Sequence, residues 1–473
     1  MEEENQKLLR FKEKIKSKSI AVIGMGISNI PAVKYLINLG ANVVVHDRNE
    51  NLKEKFNDLE ELGVKFILGK DYLKNLNNYD YIIRSPGIKP FLPEIEDAIK
   101  HNVILTSEME LLLELVPCKV IGVTGTEGKT TTTTIIAKSL EVIGYKVWLG
   151  GNIGIPLFSK IDQIKKDDIV VVELSSFQLM TMKTSPNISI ITNIYPDHLN
   201  YHRSLDEYID AKANIFMHQK KGDILVLNAD NDKTQRFIDN VEDNYIENVI
   251  RYFSVTHSVE NGTYINNGYI VTNIMGKKEK VVNKSDIKLI GIHNIANICA
   301  AVSAIVDICS IKAINEVAST FTGVEHRLEM FKVLNGVKWY NDSIGTSPAS
   351  TMAGLNSFEN KIIHIAGGSD KNIPYDEVGR CILKKVKTLL LVGDTAEKIK
   401  NAVITEAKKQ NLKESEYCDI HVFDNLKDCV DYAYKIAKPG DNIVMSPASA
   451  SFDKYKNFEE RGKYFKELVN KLG

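Results

Sequence analysis

The chain has 473 residues, with 44% apolar and 26% charged side chains, a length that fits about three domains and the balance of a soluble globular protein. Its 60 basic and 61 acidic residues leave a net charge of −1, which gives no bulk electrostatic case for a nucleic acid or an anionic membrane as partner. Six scattered cysteines (Cys118, Cys299, Cys309, Cys381, Cys418, Cys429) with no C-x-x-C pair argue for reduced thiols in a cytoplasmic protein rather than a disulfide scaffold or zinc site, and no apolar run reaches the ~18 residues of a membrane span.

The first segment, Met1 to Ser19, is charged and lacks the apolar core of a secretory signal; it reads as a helical or frayed extension. Next comes Ile20-Ala-Val-Ile-Gly24-Met-Gly26-Ile27-Ser28-Asn29. The pattern predicts a strand, a Gly-rich turn, a helix over Ile30–Leu39 and a strand over Asn42–His46 ending in Asp47, a Rossmann-like βαβ unit. Asn29 stands where a dinucleotide fingerprint would place its third glycine. The turn therefore leaves two ligands open, NAD or another diphosphate such as a nucleotide-sugar. Further on, Tyr79 to Ile88 reads as a strand ending in Ser85-Pro-Gly87, where Gly87 lets a ligand approach the backbone.

The second segment opens on an apolar run, Lys119 to Val123, followed by Thr124-Gly-Thr-Glu-Gly-Lys-Thr-Thr131 and a helical stretch, Thr132 to Ile143. Strand, glycine turn and helix N-terminus together form a phosphate cradle of backbone N–H groups. Lys129 adds a full charge, and Thr130 a hydroxyl for magnesium. The glycines are Gly122, Gly125 and Gly128, whereas the general P-loop would begin at Val123. The next predicted strands, Asp168–Val172 and Ile188–Ile191, run into Glu173-Leu-Ser175-Ser176-Phe177-Gln178 and Asn193-Ile-Tyr-Pro-Asp197-His198. Ligands of parallel sheets lie at the carboxyl ends of strands, so Glu173 and His198 are candidate magnesium ligands; the alternatives are a helix-cap acid and a turn residue.

Ser204-Leu-Asp-Glu207 reads as a capping box. The helix it opens carries Leu205, Tyr208, Ile209, Ile215 and Phe216 on one stripe, and steps of three and four place Lys212 within that stripe. Lys212 is then either a snorkelling lysine at the core edge or a desolvated amine of lowered pKa, able to take up carbon dioxide and become a carbamate metal ligand. Short strands and polar turns between Val249 and Leu289, including Asn266-Asn267-Gly268, read as an antiparallel insertion. Asn294 and Asn297, one helical turn apart, would either present amides to a base or ribose or cap their helix.

A third segment, from about Gly323, carries Glu325-His326-Arg327 and Trp339-Tyr-Asn341-Asp342-Ser343. Strands at Ile362–Ile365, Leu389–Val392 and Asn442–Met445, each ending in a Gly-, Ser- or Asp-rich turn, predict another doubly wound sheet with a binding rim. The fold class is thus α/β with three domains: a Rossmann-like domain over 1–115, a central P-loop ATPase-like α/β domain with an antiparallel insertion over 116–322, and a C-terminal Rossmann-like α/β domain over 323–473.

Residues 122–131 resemble the ATP loop of the Mur ligases, amide-forming enzymes that build the bacterial cell-wall peptide. Glu173 to Gln178, Asn193 to His198, Lys212, His293-Asn294-Ile-Ala-Asn297 and His326-Arg327 follow in the family's order, and the resemblance covers about residues 18–472. Gly24-Met-Gly-Ile-Ser28, Ser85-Pro-Gly-Ile88, Asn341-Asp-Ser343 and Ser446 to Gly462 resemble the member that adds D-glutamate. The Asp-Asn-Pro-Arg motif of the tripeptide-forming member is missing.

The resemblance implies a cytoplasmic, monomeric, ATP-dependent ligase of peptidoglycan synthesis, with ATP, UDP-N-acetylmuramoyl-L-alanine and D-glutamate as substrates and an acyl phosphate as intermediate. It implies that Lys129 and the loop from Gly122 through Thr124, Gly125, Thr126, Glu127, Gly128 and Thr130 to Thr131 hold ATP, with Asn294, Asn297, Arg327 and Asp342 on the nucleotide. Two magnesium ions would be served by Thr130 and Glu173 and by His198 and a carbamylated Lys212. The UDP-sugar falls to Gly24, Gly26, Ile27, Ser28, Asp47 and Arg48, to Ser85 and Gly87, and to Asn152, Ser175 and Gln178. D-Glutamate falls to Thr346, Lys371, Ser451, Phe452 and Phe458. Two positions depart from the family pattern: Glu127 replaces a common asparagine, and Ile344 a common lysine. The competing readings are another Mur ligase or a folylpolyglutamate synthase with a different amine, an NAD-dependent dehydrogenase fused to a nucleotide module, and a nucleotide switch that ligates nothing.

Overall fold

The structure is a computed structural model that describes residues 5–26, 28–52, 56–199, 201–241, 249–370 and 373–472. Ile27 and Lys371 of the expected substrate sites lie outside them. The described residues form three sheets and group into two compact units: residues up to 286 with 295–319, and residues 287–294 with those from 320 onward.

The first unit begins with a helix, Gln6–Ile15, that buries Leu8, Phe11 and Ile15 and is capped by Asn5. The N-terminal extension is therefore helical, held by an apolar face at helical spacing. Five parallel strands follow: β1 (Ser19–Ile23), β2 (Asn42–Asp47), β3 (Lys65–Leu68), β4 (Tyr81–Arg84) and β5 (Ile104–Thr106), in the order β3-β2-β1-β4-β5. Strand order reverses between β1 and β4, so the turns after these two strands meet at the crevice where such sheets bind ligands.

The central sheet has nine strands in the order β14-β13-β12-β11-β10-β9-β6-β8-β7. They are β6 (Lys119–Thr124), β7 (Val147–Gly151), β8 (Ile169–Glu173), β9 (Ile188–Ile191), β10 (Ile224–Asn228), β11 (Val249–Ser254), β12 (Gly262–Asn266), β13 (Tyr269–Ile274) and β14 (Lys277–Asn283). The inner strands are runs of Val and Ile covered on both faces, β8 being buried throughout, as expected where helices cover a parallel sheet. Because β6 lies between β8 and β9, the P-loop has Glu173 on one side and the segment after Ile191 on the other.

Two expectations change here. The predicted insertion does not stand apart: β11 and β12 continue the sheet in parallel, and only β12–β13 and β13–β14 are antiparallel. Asn267 and Gly268 both take positive φ in the hairpin turn, as a type I′ turn requires. The helix after Ser204 spans Leu205–Ala213, so Ile215 and Phe216 are buried beyond its end. Ser204 caps Glu207 N–H, but the Glu207 carboxylate accepts from Arg203 N–H, not from the cap residue, so the box is only half formed.

In the second unit, β15 (Glu329–Leu334), β16 (Val337–Asn341), β17 (Ile362–Ala366), β18 (Val386–Val392), β19 (Asp419–Phe423) and β20 (Asn442–Met445) form a sheet ordered β15-β16-β20-β17-β18-β19, with only β15 antiparallel. Leu389 and Leu391 enter the core on one face and Leu390 the core on the other, the period of two that a doubly covered strand imposes.

Candidate active site

The loop between β6 and the Lys129–Val142 helix is shaped by its glycines. Gly125 has φ +149° and Gly128 φ +81°. A Cβ at Gly125 would lie 1.9 Å from Thr192 Oγ1, and one at Gly128 2.2 Å from Asn297 Oδ1. Thr192 Oγ1 donates to the Glu127 carbonyl at 2.5 Å, and Asn193 brackets the same residue, accepting from its N–H at 2.9 Å and donating to its carbonyl at 3.1 Å. The loop is thus strapped through its backbone, and the Glu127 side chain is left exposed. Gly122 and Thr124 sit inside the sheet: Gly122 packs on Pro186, and Thr124 donates to the Leu174 carbonyl at 2.7 Å.

Thr130 Oγ1 donates to Glu173 Oε2 at 2.6 Å, and Asn152 Nδ2 donates to Glu173 Oε1 at 2.9 Å. Glu173 is buried at the end of β8. The pair of hydroxyl and carboxylate oxygens is the hard donor set magnesium takes. Asn152, expected at the UDP-sugar, is therefore placed at Glu173. A Cβ at Gly151 would lie 2.1 Å from the Glu173 carbonyl, which is why glycine precedes Asn152.

Lys212 is only 1% exposed. Its Nζ donates to the Gly125 carbonyl at 2.8 Å and lies 4.7 Å from the centre of the Tyr208 ring. Burial, and secondarily the charge of Lys129, push its pKa well below the usual lysine value. The snorkelling reading fails because the amine ends in the core, not in solvent. Tyr208 Oη in turn pairs with Thr126 Oγ1 at 2.9 Å, so the helix carrying Lys212 grips the phosphate loop twice. Of the other expected metal ligands, His198 has φ +54° and a half-exposed ring beside Asp197 at 3.4 Å and over Phe177 at 4.8 Å.

In the first sheet, Gly24 has φ +82°, and a Cβ there would be 2.9 Å from Ser85 Cβ. The two turns expected at the UDP-sugar therefore meet. Asp47 accepts from the Met25 and Asn49 N–H groups, both at 2.8 Å, and so holds the glycine turn. Arg48 is exposed beside it. Ser175 and Gln178 form a reciprocal capping box on the Ser176–Leu179 helix. Sequence reasoning gave no role to Arg84, Tyr201 or Tyr208. A charged residue closing the otherwise apolar Tyr-Ile-Ile-Arg strand was the available signal for the first.

In the second unit, Asp342 is buried, accepting from Ser446 Oγ at 2.6 Å and from Leu328 N–H at 3.1 Å; burial raises its pKa to about 6. Arg461, from the Phe458–Asn470 helix, ties two motifs together. Its Nε and Nη2 donate to Ser343 Oγ and O at 3.0 and 2.9 Å, and its Nη1 to the Ser449 and Ala450 carbonyls at 3.1 and 3.0 Å. Of the residues expected at D-glutamate, Ser451 is buried, Thr346 and Phe458 are half-buried, and Phe452 is 72% exposed. Asn294 and the exposed Arg327 also belong to this unit, whereas Asn297 belongs to the first. Asn294 Nδ2 donates to the Ile290 carbonyl at 2.7 Å.

Three family models match the chain: the Mur ligase MurD-like N-terminal domain over residues 18–107, the Mur ligase middle domain over 123–305 and the Mur ligase glutamate ligase domain over 326–449. The chain belongs to the Mur ligase family. It is 48% identical to a UDP-N-acetylmuramoylalanine–D-glutamate ligase of Ruminiclostridium cellulolyticum over 99% of this chain and 100% of that one. It is 47% identical to the enzyme of the same name from Acetivibrio thermocellus, over 99% of each. A solved UDP-N-acetylmuramoyl-L-alanyl-D-glutamate–2,6-diaminopimelate ligase, 17% identical, shares the fold with a TM-score of 0.57 over 97% of this chain and 93% of that one.

Proposed function

We infer that this protein is an ATP-dependent ligase that joins D-glutamate to UDP-N-acetylmuramoyl-L-alanine in peptidoglycan precursor synthesis. The end-to-end identity of 48% to a ligase named for that reaction carries the reading. The domain division at about 115 and 322, a monomeric form and a cytoplasmic location are part of the proposal; among the described residues no helix is long and apolar enough to cross a membrane.

The P-loop amides and Lys129 would hold the ATP phosphates, while the turns after β1 and β4 hold the UDP-sugar. The terminal carboxylate of the alanine attacks the γ-phosphorus, ADP leaves, and an acyl phosphate forms. The D-glutamate amine then adds to the acyl carbon, loses a proton, and phosphate is expelled. Two anions must meet in the first step, so positive charge at the site lowers the barrier. Thr130 and Glu173, with His198 and a carbamylated Lys212, would hold magnesium, which would supply that charge when bound. The buried oxygen pair at Glu173 supports the first part of this ligand set. The burial of Lys212, which pushes its pKa well below the usual lysine value, supports the second, since only an unprotonated amine adds to carbon dioxide, forming the N–C bond as it gives up a proton. Thr346, Lys371, Ser451, Phe452 and Phe458 would receive D-glutamate.

The test is phosphate release from ATP with magnesium and UDP-N-acetylmuramoyl-L-alanine, adding amino acids singly. Release that needs D-glutamate, and not L-glutamate, L-lysine or meso-diaminopimelate, is expected. Release with another amine would reassign the substrate, and no amine dependence in folded protein would remove the ligase reading.

A further inference from the structure

Arg84 ends β4, immediately before the Ser85–Ile88 turn, and is 1% exposed. Its Nη1 donates to the Ile88 carbonyl at 2.6 Å, with longer contacts to the Pro86 and Ser85 carbonyls at 3.3 and 3.4 Å. Its Nη2 crosses to the central domain and donates to the Phe177 carbonyl at 2.9 Å and to Thr181 Oγ1 at 3.2 Å. Tyr201 completes the arrangement: its hydroxyl oxygen lies 2.8 Å from the Pro86 carbonyl and 3.0 Å from that of Ile88. These bonds run to carbonyls and hydroxyls rather than to a carboxylate. The buried Glu110 carboxyl acts on the guanidinium through its charge but makes none of these hydrogen bonds, and burying a guanidinium without a hydrogen-bonded anion is unfavourable, so the position demands a return in function or specificity. Neither the reaction nor the family resemblance assigned it one.

We propose that Arg84, with Tyr201, is a positioning residue that sets the Ser85–Ile88 turn for the UDP-sugar and fixes it against the phosphoryl-transfer centre. The inference rests on the function proposed above.

Two physical effects support it. First, the carbonyls of Ser85, Pro86 and Ile88 are drawn towards a cation inside the protein. Their lone pairs are then held away from an incoming diphosphate, and the buried charge adds positive potential beneath the turn. Second, the two anchors outside the turn, Phe177 and Tyr201, lie on segments that carry expected metal ligands. Phe177 stands four residues after Glu173, and Tyr201 three after His198. A shift in the turn would move the acceptor carboxylate relative to the γ-phosphate, and displacements of about 1 Å at such a centre lower rates ~100-fold.

The experiment compares Arg84→Met, Arg84→Lys and Tyr201→Phe with the wild type in steady-state assays, with melting curves to show that each is folded. Arg84→Met should raise KM for UDP-N-acetylmuramoyl-L-alanine by ~10–100-fold, the scale of hydrogen bonds made by a charged donor. KM for ATP should change by less than about twofold, since the P-loop is untouched. Arg84→Lys should fall between, because it keeps the charge and loses the fork. Tyr201→Phe removes one hydroxyl and should raise the same KM by ~3–10-fold; it carries the test if Arg84→Met does not fold. A wild-type KM for the UDP-sugar in a folded Arg84→Met protein would overturn the proposal, as would an equal rise in KM for ATP, which would mark a general structural role. Wild-type protein without D-glutamate-dependent phosphate release would instead overturn the functional reading, and the inference with it.

Discussion

Lys129 and Lys212 aim their amines at the same oxygen, the Gly125 carbonyl, at 3.0 and 2.8 Å. One lysine comes from the first turn of the P-loop helix, the other from a helix more than eighty residues later. Two ammonium groups sharing one acceptor repel, and the more deeply buried one yields its proton more readily. That is Lys212, whose pKa burial pushes well below the usual lysine value.

Replacing Lys212 with alanine should therefore reduce ligation by about a thousandfold or more, the scale of losing a transition-state charge contact. Formate or acetate should restore part of the rate by filling the place of the carbamate. Labelled carbon dioxide should give a carbamate NMR signal in the wild type and none in the variant. A fully active Lys212→Ala enzyme would show that the carbamate plays no part.

Glu173→Gln tests the oxygen pair at Thr130. The amide keeps the shape and can still meet the Thr130 hydroxyl and the Asn152 amide, so the melting temperature should move by only a few degrees. The lost charge should lower kcat/KM by ~100–1,000-fold and raise the magnesium concentration needed for half-maximal rate. Unchanged magnesium dependence would remove Glu173 from the metal site.

Much of this site was legible because it is local in the chain. The P-loop, the strand ends at Glu173 and Asp197-His198, and the stripe holding Lys212 each follow from spacing within about ten residues. What stayed hidden are contacts between distant segments. Nothing near Arg84 in sequence announces Phe177 or Thr181, and nothing near Gly128 announces Asn297. The parallel pairing of β11 with β12 was missed for a related reason: short polar-turned strands look alike whichever way they pair, and only the preceding sheet decides. Nothing near Asn152 in sequence announces Glu173, which the strand pairing of β7 with β8 sets beside it.

Asp342→Asn should show a pH-dependent gain in stability. The Asp342 carboxyl has a pKa of about 6 in the folded chain against 3.8 for an ordinary aspartate. Between these values the folded state binds the extra proton. The stabilisation is thus full below 3.8 and lost as pH rises through about 6. By linkage the loss is up to about 3 kcal/mol at neutral pH. The amide can accept from Leu328 N–H and donate to Ser446 Oγ, so it keeps both bonds without the charge. Unfolding midpoints at pH 5 and pH 8 should fall for the wild type relative to the variant. Parallel pH profiles would mean that the Asp342 pKa is raised no more than that of a surface aspartate.

Gly128→Ala separates backbone strain from crowding in the phosphate loop. At φ +81° an alanine is disfavoured by roughly 1–2 kcal/mol, and its Cβ would lie 2.2 Å from Asn297 Oδ1. Either effect alone should open the loop, so ATP affinity should fall by at least ~10-fold, while UDP-sugar affinity, proposed to rest chiefly on the turns after β1 and β4, should hold. Adding Asn297→Ala removes the clash but not the strain, and it also deletes an expected nucleotide contact, so the double variant should bind ATP more weakly than Asn297→Ala alone. Equal affinity in those two variants would show that φ at residue 128 is immaterial. No loss in the single variant would mean that this loop is not where the phosphates bind.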